Sequence, residues 1–387
     1  MQGNGNGGKP DTEVIVIGGG LAGLTVAILL AKHKKRVLLI EKKSYPFHRV
    51  CGEYISNEVL PFLQWLGFDP FLHGASRLSD LRVSSPSGNN FYAKLDLGGF
   101  GISRYTMDNA LYQLAVDSGV EILTETKVMD VAFEQNTFSV KTSNGTTYTT
   151  GLVVGSYGKR DTLDKKLNRD FIQTHTEYLG VKYHLRTDYP ADEIGLDNFE
   201  GGYCGISRIE DGKYNLCYLY KRGNFKFKSI PELEQNVLYK NPVLKNIFRN
   251  SEFLFDKPEV INEISFDKKQ LVENHILMCG DSAGLITPLC GNGMSMAIHS
   301  AKLLGELILE TGILDKPSIP DSERKQLEAA YHKNWDKNFS RRLFWGRVIH
   351  KAFGNTVVTG MAIRGVYTIP KLRNWLISST HGQAIAI

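Results

Sequence analysis

Gly18-Gly19-Gly20-Leu21-Ala22-Gly23 is a Gly-x-Gly-x-x-Gly turn, and a carboxylate, Glu41, follows 18 residues after Gly23. A β-branched run, Val14–Ile17, precedes the turn, and an apolar helical stretch follows it. The chemistry of that spacing is capture of a dinucleotide diphosphate. Gly18 permits the tight turn, Gly20 lets the backbone approach a pyrophosphate, and Gly23 lets the helix pack closely on the strand. The free N–H groups and the dipole of the helix N-terminus then favour negative charge. Glu41, at the end of the next strand, would accept hydrogen bonds from ribose hydroxyls, and its neighbour Lys42 joins the cofactor-binding set. A glycine turn without a ligand has no need of the strand, helix and acid in this order. The cysteines are Cys51, Cys204, Cys217, Cys279 and Cys290, odd in number and without a Cys-x-x-Cys pair. They indicate neither a disulfide framework nor a zinc site, and they fit a reducing cytoplasm.

The elements that must position these residues follow from apolar periodicity. Val14–Ile17 and Val37–Ile40 read as buried parallel strands, with a helix from about Leu21 to Lys34 between them. Ala110–Ser118 reads as an amphipathic helix and Val120–Leu123 as a strand. Val128–Glu134, Phe138–Thr142 and Thr146–Thr150 form a meander with an Asn144-Gly145 turn, and Gly151–Gly155 is a further apolar strand. After about Arg160 the pattern changes to strands at Tyr178–Leu185, Glu193–Asn198, Gly202–Ile209 and Tyr214–Tyr220, with a helical stretch over Pro231–Phe248. A buried strand returns at His275–Met278, followed by a glycine-rich segment, a helix to about Glu310 and a basic helical region from Ser322 to Lys351. The predicted class is α/β. Residues 11–160 and 273–312 build a Rossmann-like cofactor domain, with substrate-domain strands interleaved within 70–105. Residues 161–272 form an inserted, mostly antiparallel substrate domain, and 313–387 a C-terminal helical region.

Composition sets bounds on partners. The 387 residues carry 46 basic and 41 acidic side chains, a net charge of +5, which is too small to indicate nucleic-acid binding. The apolar run from Val14 to Ala31 is broken by glycines in the cofactor pattern and is preceded by Asp11 and Glu13 rather than by basic residues. It therefore reads as strand, turn and helix, not as a signal peptide or a transmembrane segment.

Four further segments bear on a family resemblance. Ile276-Leu277-Met278-Cys279-Gly280-Asp281, continuing to Pro288 and Gly291-Asn292-Gly293, resembles the Gly-Asp motif of the flavoprotein monooxygenase and geranylgeranyl-reductase superfamily, which shares the p-hydroxybenzoate hydroxylase fold. The resemblance implies FAD as cofactor, with Asp281 on the ribityl chain. It also implies that the loop through Gly280, Pro288, Gly291, Asn292 and Gly293 passes the flavin ring. Arg104, followed by Asp108 and Leu111, resembles the family's Arg-x-x-x-Asp-x-x-Leu stretch, whose arginine lies near the FAD diphosphate. Tyr157-Gly158 stands where the family usually has Asp-Gly, a departure that bears on NAD(P)H, the implied electron donor. Arg49-Val50-Cys51-Gly52-Glu53 is closer to the reductases, which place a Cys-Gly beside the flavin. It makes Cys51 the candidate catalytic residue, against the commoner fate of a free cysteine as a packed small hydrophobe.

Three functional readings follow. The leading one is an NAD(P)H-driven FAD monooxygenase acting on a hydrophobic aromatic or polyketide-like molecule, free or carrier-bound. The alternative is a geranylgeranyl-reductase-like enzyme that saturates carbon–carbon double bonds, favoured by Cys51-Gly52. Against it stands the missing Tyr-x-Trp-x-Phe-Pro tunnel stretch, in whose place the chain has Tyr203-Cys204-Gly205-Ile206. The remote third is a non-catalytic lipid-binding protein on the same fold, for which the Asp281 loop would have no use. Flavin-dependent halogenases resemble one another in a Trp-x-Trp-x-Ile-Pro element that this chain lacks. Trp335, Phe339, Phe344 and Trp345 with Arg341, Arg342 and Arg347 make a basic aromatic helix. Such a helix can lie on a membrane or meet an acidic carrier, and more commonly packs its aromatics on its own domain.

Overall fold

The computed structural model describes residues 12–173, 178–222, 227–262, 264, 266–285, 292–353 and 384–385. Pro288, Cys290 and Gly291 lie outside them. The chain runs β1 (Thr12–Ile17), α1 (Leu21–Lys32), β2 (Val37–Ile40), β3 (Tyr54–Ser56), α2 (Leu60–Leu66), β4 (Ser76–Ser84), β5 (Asn90–Gly101) and α3 (Arg104–Asp117). It continues through β6 (Glu121–Leu123), β7 (Val128–Glu134), β8 (Thr137–Thr142), β9 (Thr147–Gly155), α4 (Thr162–Lys166), β10 (Tyr178–Arg186), β11 (Glu193–Phe199), β12 (Gly202–Arg208) and β13 (Tyr214–Lys221). Then come α5 (Ile230–Asn236), α6 (Pro242–Asn250), β14 (Glu252–Phe253), β15 (Glu259–Asn262), β16 (Val272–Glu273), β17 (Ile276–Met278), α7 (Gly293–Glu310) and α8 (Asp321–Phe353).

Among the described residues these strands form two sheets. The first has the order β16-β17-β9-β1-β2-β6, with the β7–β8 hairpin attached to β9. Its centre is parallel, with Val14 opposite Val37 on one side and Leu152 on the other. Covered on both faces, these strands need continuous apolar sequence, which is why Val14–Ile17 and Val37–Ile40 do not alternate. Helix α1, apolar all round and buried from Leu21 to Ala31, packs against α3 and α7.

The second sheet has the order β14-β10-β13-β12-β11-β4-β5-β3, with β15 also on β10. It joins strands from before α3 to strands from after α4, through the parallel pairing of β4 with β11. One face of β10, β12 and β13 packs Val181, Tyr183, Leu185, Ile206 and Leu216 into a separate core with α5 and α6. The other face looks toward the first sheet.

Two elements differ from the sequence expectation. Thr147–Gly155 is one strand, not two: its first half pairs with β8 and its second half runs parallel to β1. The helical stretch over Pro231–Phe248 divides at Asn241, whose side chain caps α6 by accepting from the Val243 N–H at 2.8 Å. Pro242 starts α6 because a proline disfavours helical backbone in the residue before it. No helix among the described residues is long and apolar enough to cross a membrane.

Candidate functional site

A cavity of about 870 Å³ runs between the sheets, from the glycine turn after β1 to the far strands of the second sheet. At one end, Gly18 takes φ +98°, and a Cβ there would lie 2.6 Å from the Ser156 carbonyl oxygen. A Cβ on Gly23 would lie 1.9 Å from the Gly18 oxygen. Those two glycines serve close packing within the protein. Gly20 differs: a Cβ there would meet only the Arg104 guanidinium, 3.8 Å away. The turn and the Arg104 guanidinium thus face each other at the N-terminus of α1, a cradle suited to a diphosphate.

Arg104 is the first residue of α3, whose N-cap Ser103 accepts from the Thr106 N–H. Its side chain grips Asp108, one turn on, with Nε–Oδ1 at 2.6 Å and Nη2–Oδ2 at 2.7 Å. Asp108 is fully buried and takes a second arginine, Arg49, at 3.0 Å. Burial opposes the Arg104 charge, but Asp108, aided by Asp281, more than compensates and keeps it protonated. Glu41 directly follows β2 and is buried, accepting from the Gly19 N–H at 2.8 Å and the Lys43 N–H at 3.0 Å. Tyr45 closes over the turn by donating to the Gly19 carbonyl. Lys42 sits at the rim, paired to Asp161 at 2.7 Å.

Asp281 lies in a short helical turn after β17 and lines the same cavity. Gly280 before it takes φ +62° and presses on Ala22 of α1. Ser282 knits this turn to the loop after β9, accepting from the Gly158 N–H at 2.9 Å. Lys269 braces both loops through the carbonyls of Lys159 and Asp281, and burial lowers its ammonium to about 8. Tyr157 occupies the departing position and lines the cavity, with its hydroxyl directed at the Met278 sulfur. Asn292 and Gly293 open α7 beside the cavity.

Beyond Cys51 and Gly52, which line the cavity, the walls turn apolar. Strand register fixes their order. Cys217 pairs with Gly205, Gly205 with Leu196, Leu196 with Val83 and Val83 with Phe91, so one row of inward residues crosses β13, β12, β11, β4 and β5. Four strand spacings make this trough roughly 19 Å long. Gly205 leaves its middle open, since a Cβ there would find nothing nearer than 3.7 Å.

A cluster that sequence reasoning did not single out sits behind Cys51. Glu53 is fully buried and receives the Lys182 ammonium at 2.5 Å and His184 Nε2 at 2.7 Å. Burial opposes its ionisation, yet Lys182 and His184 outweigh that and hold it down to about 2. His48 stacks on Tyr105 and meets His184 edge-on at 5.2 Å; burial, with Lys182 and His184, lowers it to about 4. The signal was present: Gly180, Lys182 and His184 alternate with apolar residues on a strand whose two faces are both buried.

The aromatics of α8 divide. Tyr331, Trp335 and Phe339 are buried, and Trp335 packs over Gly284 behind the Asp281 turn, whereas Phe344 is exposed.

Residues 16–55 match the NAD(P)-binding Rossmann-like domain. The chain is 25% identical over 366 residues to a digeranylgeranylglycerophospholipid reductase of Methanosarcina acetivorans, covering 89% of this chain and 85% of that one. A menaquinone reductase of Mycobacterium tuberculosis is 23% identical over 322 residues, 76% of each chain. Among solved structures, a geranylgeranyl bacteriochlorophyll reductase-like protein from Thermoplasma acidophilum superposes with a TM-score of 0.75 at 18% identity, covering 91% of this chain and 90% of that one. A flavin-dependent brominase gives 0.77 at 19% identity over 95% and 93%. The fold and the likeness to reductases support an FAD-dependent oxidoreductase.

Proposed function

We propose that this chain is an FAD-dependent reductase that saturates a carbon–carbon double bond in an elongate apolar substrate, with NAD(P)H as electron donor. The observation that carries the reading is the apolar trough leading away from the cofactor cradle past Cys51. A compact aromatic substrate has no use for a groove crossing five strands. The reductases among the relatives support the same weighting, which moves the monooxygenase reading to second place.

In this reading the Gly18–Gly23 turn and Arg104 hold the FAD diphosphate, Glu41 the adenosine ribose and Asp281 the ribityl chain. Lys42 closes the rim, and Gly280, Asn292 and Gly293 shape the loop beside the ring. Bound FAD supplies hydride transfer. The protein's own part is orientation and exclusion of water. Leu196, Val83 and Phe91 hold the chain, and Cys51 borders the reacting end.

The test is anaerobic incubation of FAD-loaded protein, reduced by dithionite, with a geranylgeranyl-chain lipid, followed by mass spectrometry. Dithionite removes any dependence on the natural donor. Product gaining two hydrogens supports the reductase. In a parallel incubation opened to air, product gaining an oxygen atom would return the monooxygenase reading to first place.

A further inference from the structure

The Glu53 cluster stands at a junction of three elements. The first is its own loop, where Glu53 takes φ +53°, an unfavourable backbone for a side chain of this size. The second is α3, whose first N–H, that of Arg104, donates to Glu53 Oε1 at 2.8 Å. The third is β10, which sends Lys182 and His184 to the same carboxylate. Lys182 is completely buried and reaches back to the loop through the Arg49 carbonyl at 3.2 Å. From β13, the Asn215 amide donates to the Cys51 carbonyl at 3.2 Å. The loop bearing the thiol is thus held to the substrate sheet on both sides of Gly52.

A buried ion pair is a poor way to gain stability, because apolar residues of similar volume commonly do as well or better. The same sheet holds another, Arg82 with Asp197 at 2.7 Å, on strands whose neighbouring Leu81, Val83 and Leu196 face the cavity. That pair lies on the opposite face. Glu53 instead lines the cavity, two residues from Cys51 and bonded to the backbone N–H of Arg104.

We propose that Glu53 is a positioning residue: its carboxylate ties the Cys51–Gly52 loop and the first turn of α3 to Lys182 and His184 of the substrate sheet. The thiol on the cavity wall and the Arg104 guanidinium at the cradle thereby keep one relative placement. The inference rests on the cofactor reading above and not on the identity of the substrate.

The test uses the full chain with Glu53→Gln, Lys182→Met and the double variant. Three quantities are read without turnover: melting temperature, FAD affinity from flavin fluorescence, and the rate of Cys51 alkylation by iodoacetamide, with Cys51→Ser as the blank. Each single variant leaves a buried charge without its counter-charge and lowers the melting temperature. The double variant removes both charges and recovers it. Positioning predicts that the double variant still binds FAD at least tenfold more weakly and alkylates Cys51 at a rate changed at least threefold. Recovery of affinity and alkylation together with the melting temperature would overturn the proposal and leave the cluster a packing device. Wild-type behaviour of both single variants would overturn it as well. A chain that binds FAD but fails to reduce double bonds would refute the substrate reading alone, since none of these readouts needs turnover.

Discussion

Gly20→Ala and Gly23→Ala should fail in different ways. Gly20 has φ −84° and ψ −174°, a backbone that alanine adopts freely, and its added methyl would point into the cradle with only Arg104 nearby, at 3.8 Å. The folded chain without cofactor should therefore be as stable as the parent. The methyl would occupy the approach of the diphosphate and lengthen one or two charge-assisted hydrogen bonds, each worth about 1.5–3 kcal/mol. FAD binding should weaken about 10- to 100-fold or more. At Gly23 the methyl would sit 1.9 Å from the Gly18 oxygen and 2.5 Å from Ser156 Oγ, so the turn itself must move. Overpacking of that kind costs about 1–3 kcal/mol and should lower the melting temperature with or without FAD. Thermal melts of cofactor-stripped protein and flavin titrations separate the two. Undiminished FAD affinity in Gly20→Ala would refute the cradle. A cofactor-free melt as poor as that of Gly23→Ala would refute the claim that a methyl on Gly20 fits without strain.

Gly205→Leu should fill the trough: melting temperature and FAD affinity stay near the parent values, and KM for a long-chain substrate rises tenfold or more in steady-state assays. An unchanged KM would place the substrate elsewhere. His299 packs edge-on against Phe339, and burial, with Arg342 and Lys302, lowers it from 6.5 to about 4. Its folded value lies below the unfolded one, so its contribution is complete above pH 6.5 and is lost as pH falls toward 4. At most about 3 kcal/mol is involved, less after solvent screening. Denaturant unfolding at pH 7 and pH 4.5 should show that loss shrink in His299→Leu; an equal loss in both proteins would show that the ring is not held neutral. Glu53, held at about 2, adds a second acid-sensitive step that begins below pH 4.5, and Glu53→Gln should remove it.

The cofactor end was legible in the sequence because its chemistry is local. A strand, a tight turn and a helix N-terminus are contiguous, so spacing alone places Gly18, Gly20 and Gly23 in the turn where we propose the diphosphate binds, and Glu41 lies one strand further on. Asp281 and Arg104 could be matched by motif because each sits at the edge of a regular element. Only tertiary structure could bring Arg104 opposite Gly20, since helix α3 and the β1–α1 turn meet through packing against α1. It also decided that β4 and β5 join strands β10–β13 in one sheet. The apolar trough exists because of that register: Phe91, Val83, Leu196, Gly205 and Cys217 are scattered over more than a hundred residues and fall into one row only when the strands pair. The same holds for Glu53 and Lys182, 129 residues apart. A charge reads as solvent-exposed until the fold buries it, and its partner is chosen by packing of a loop on a distant strand, which no local pattern encodes.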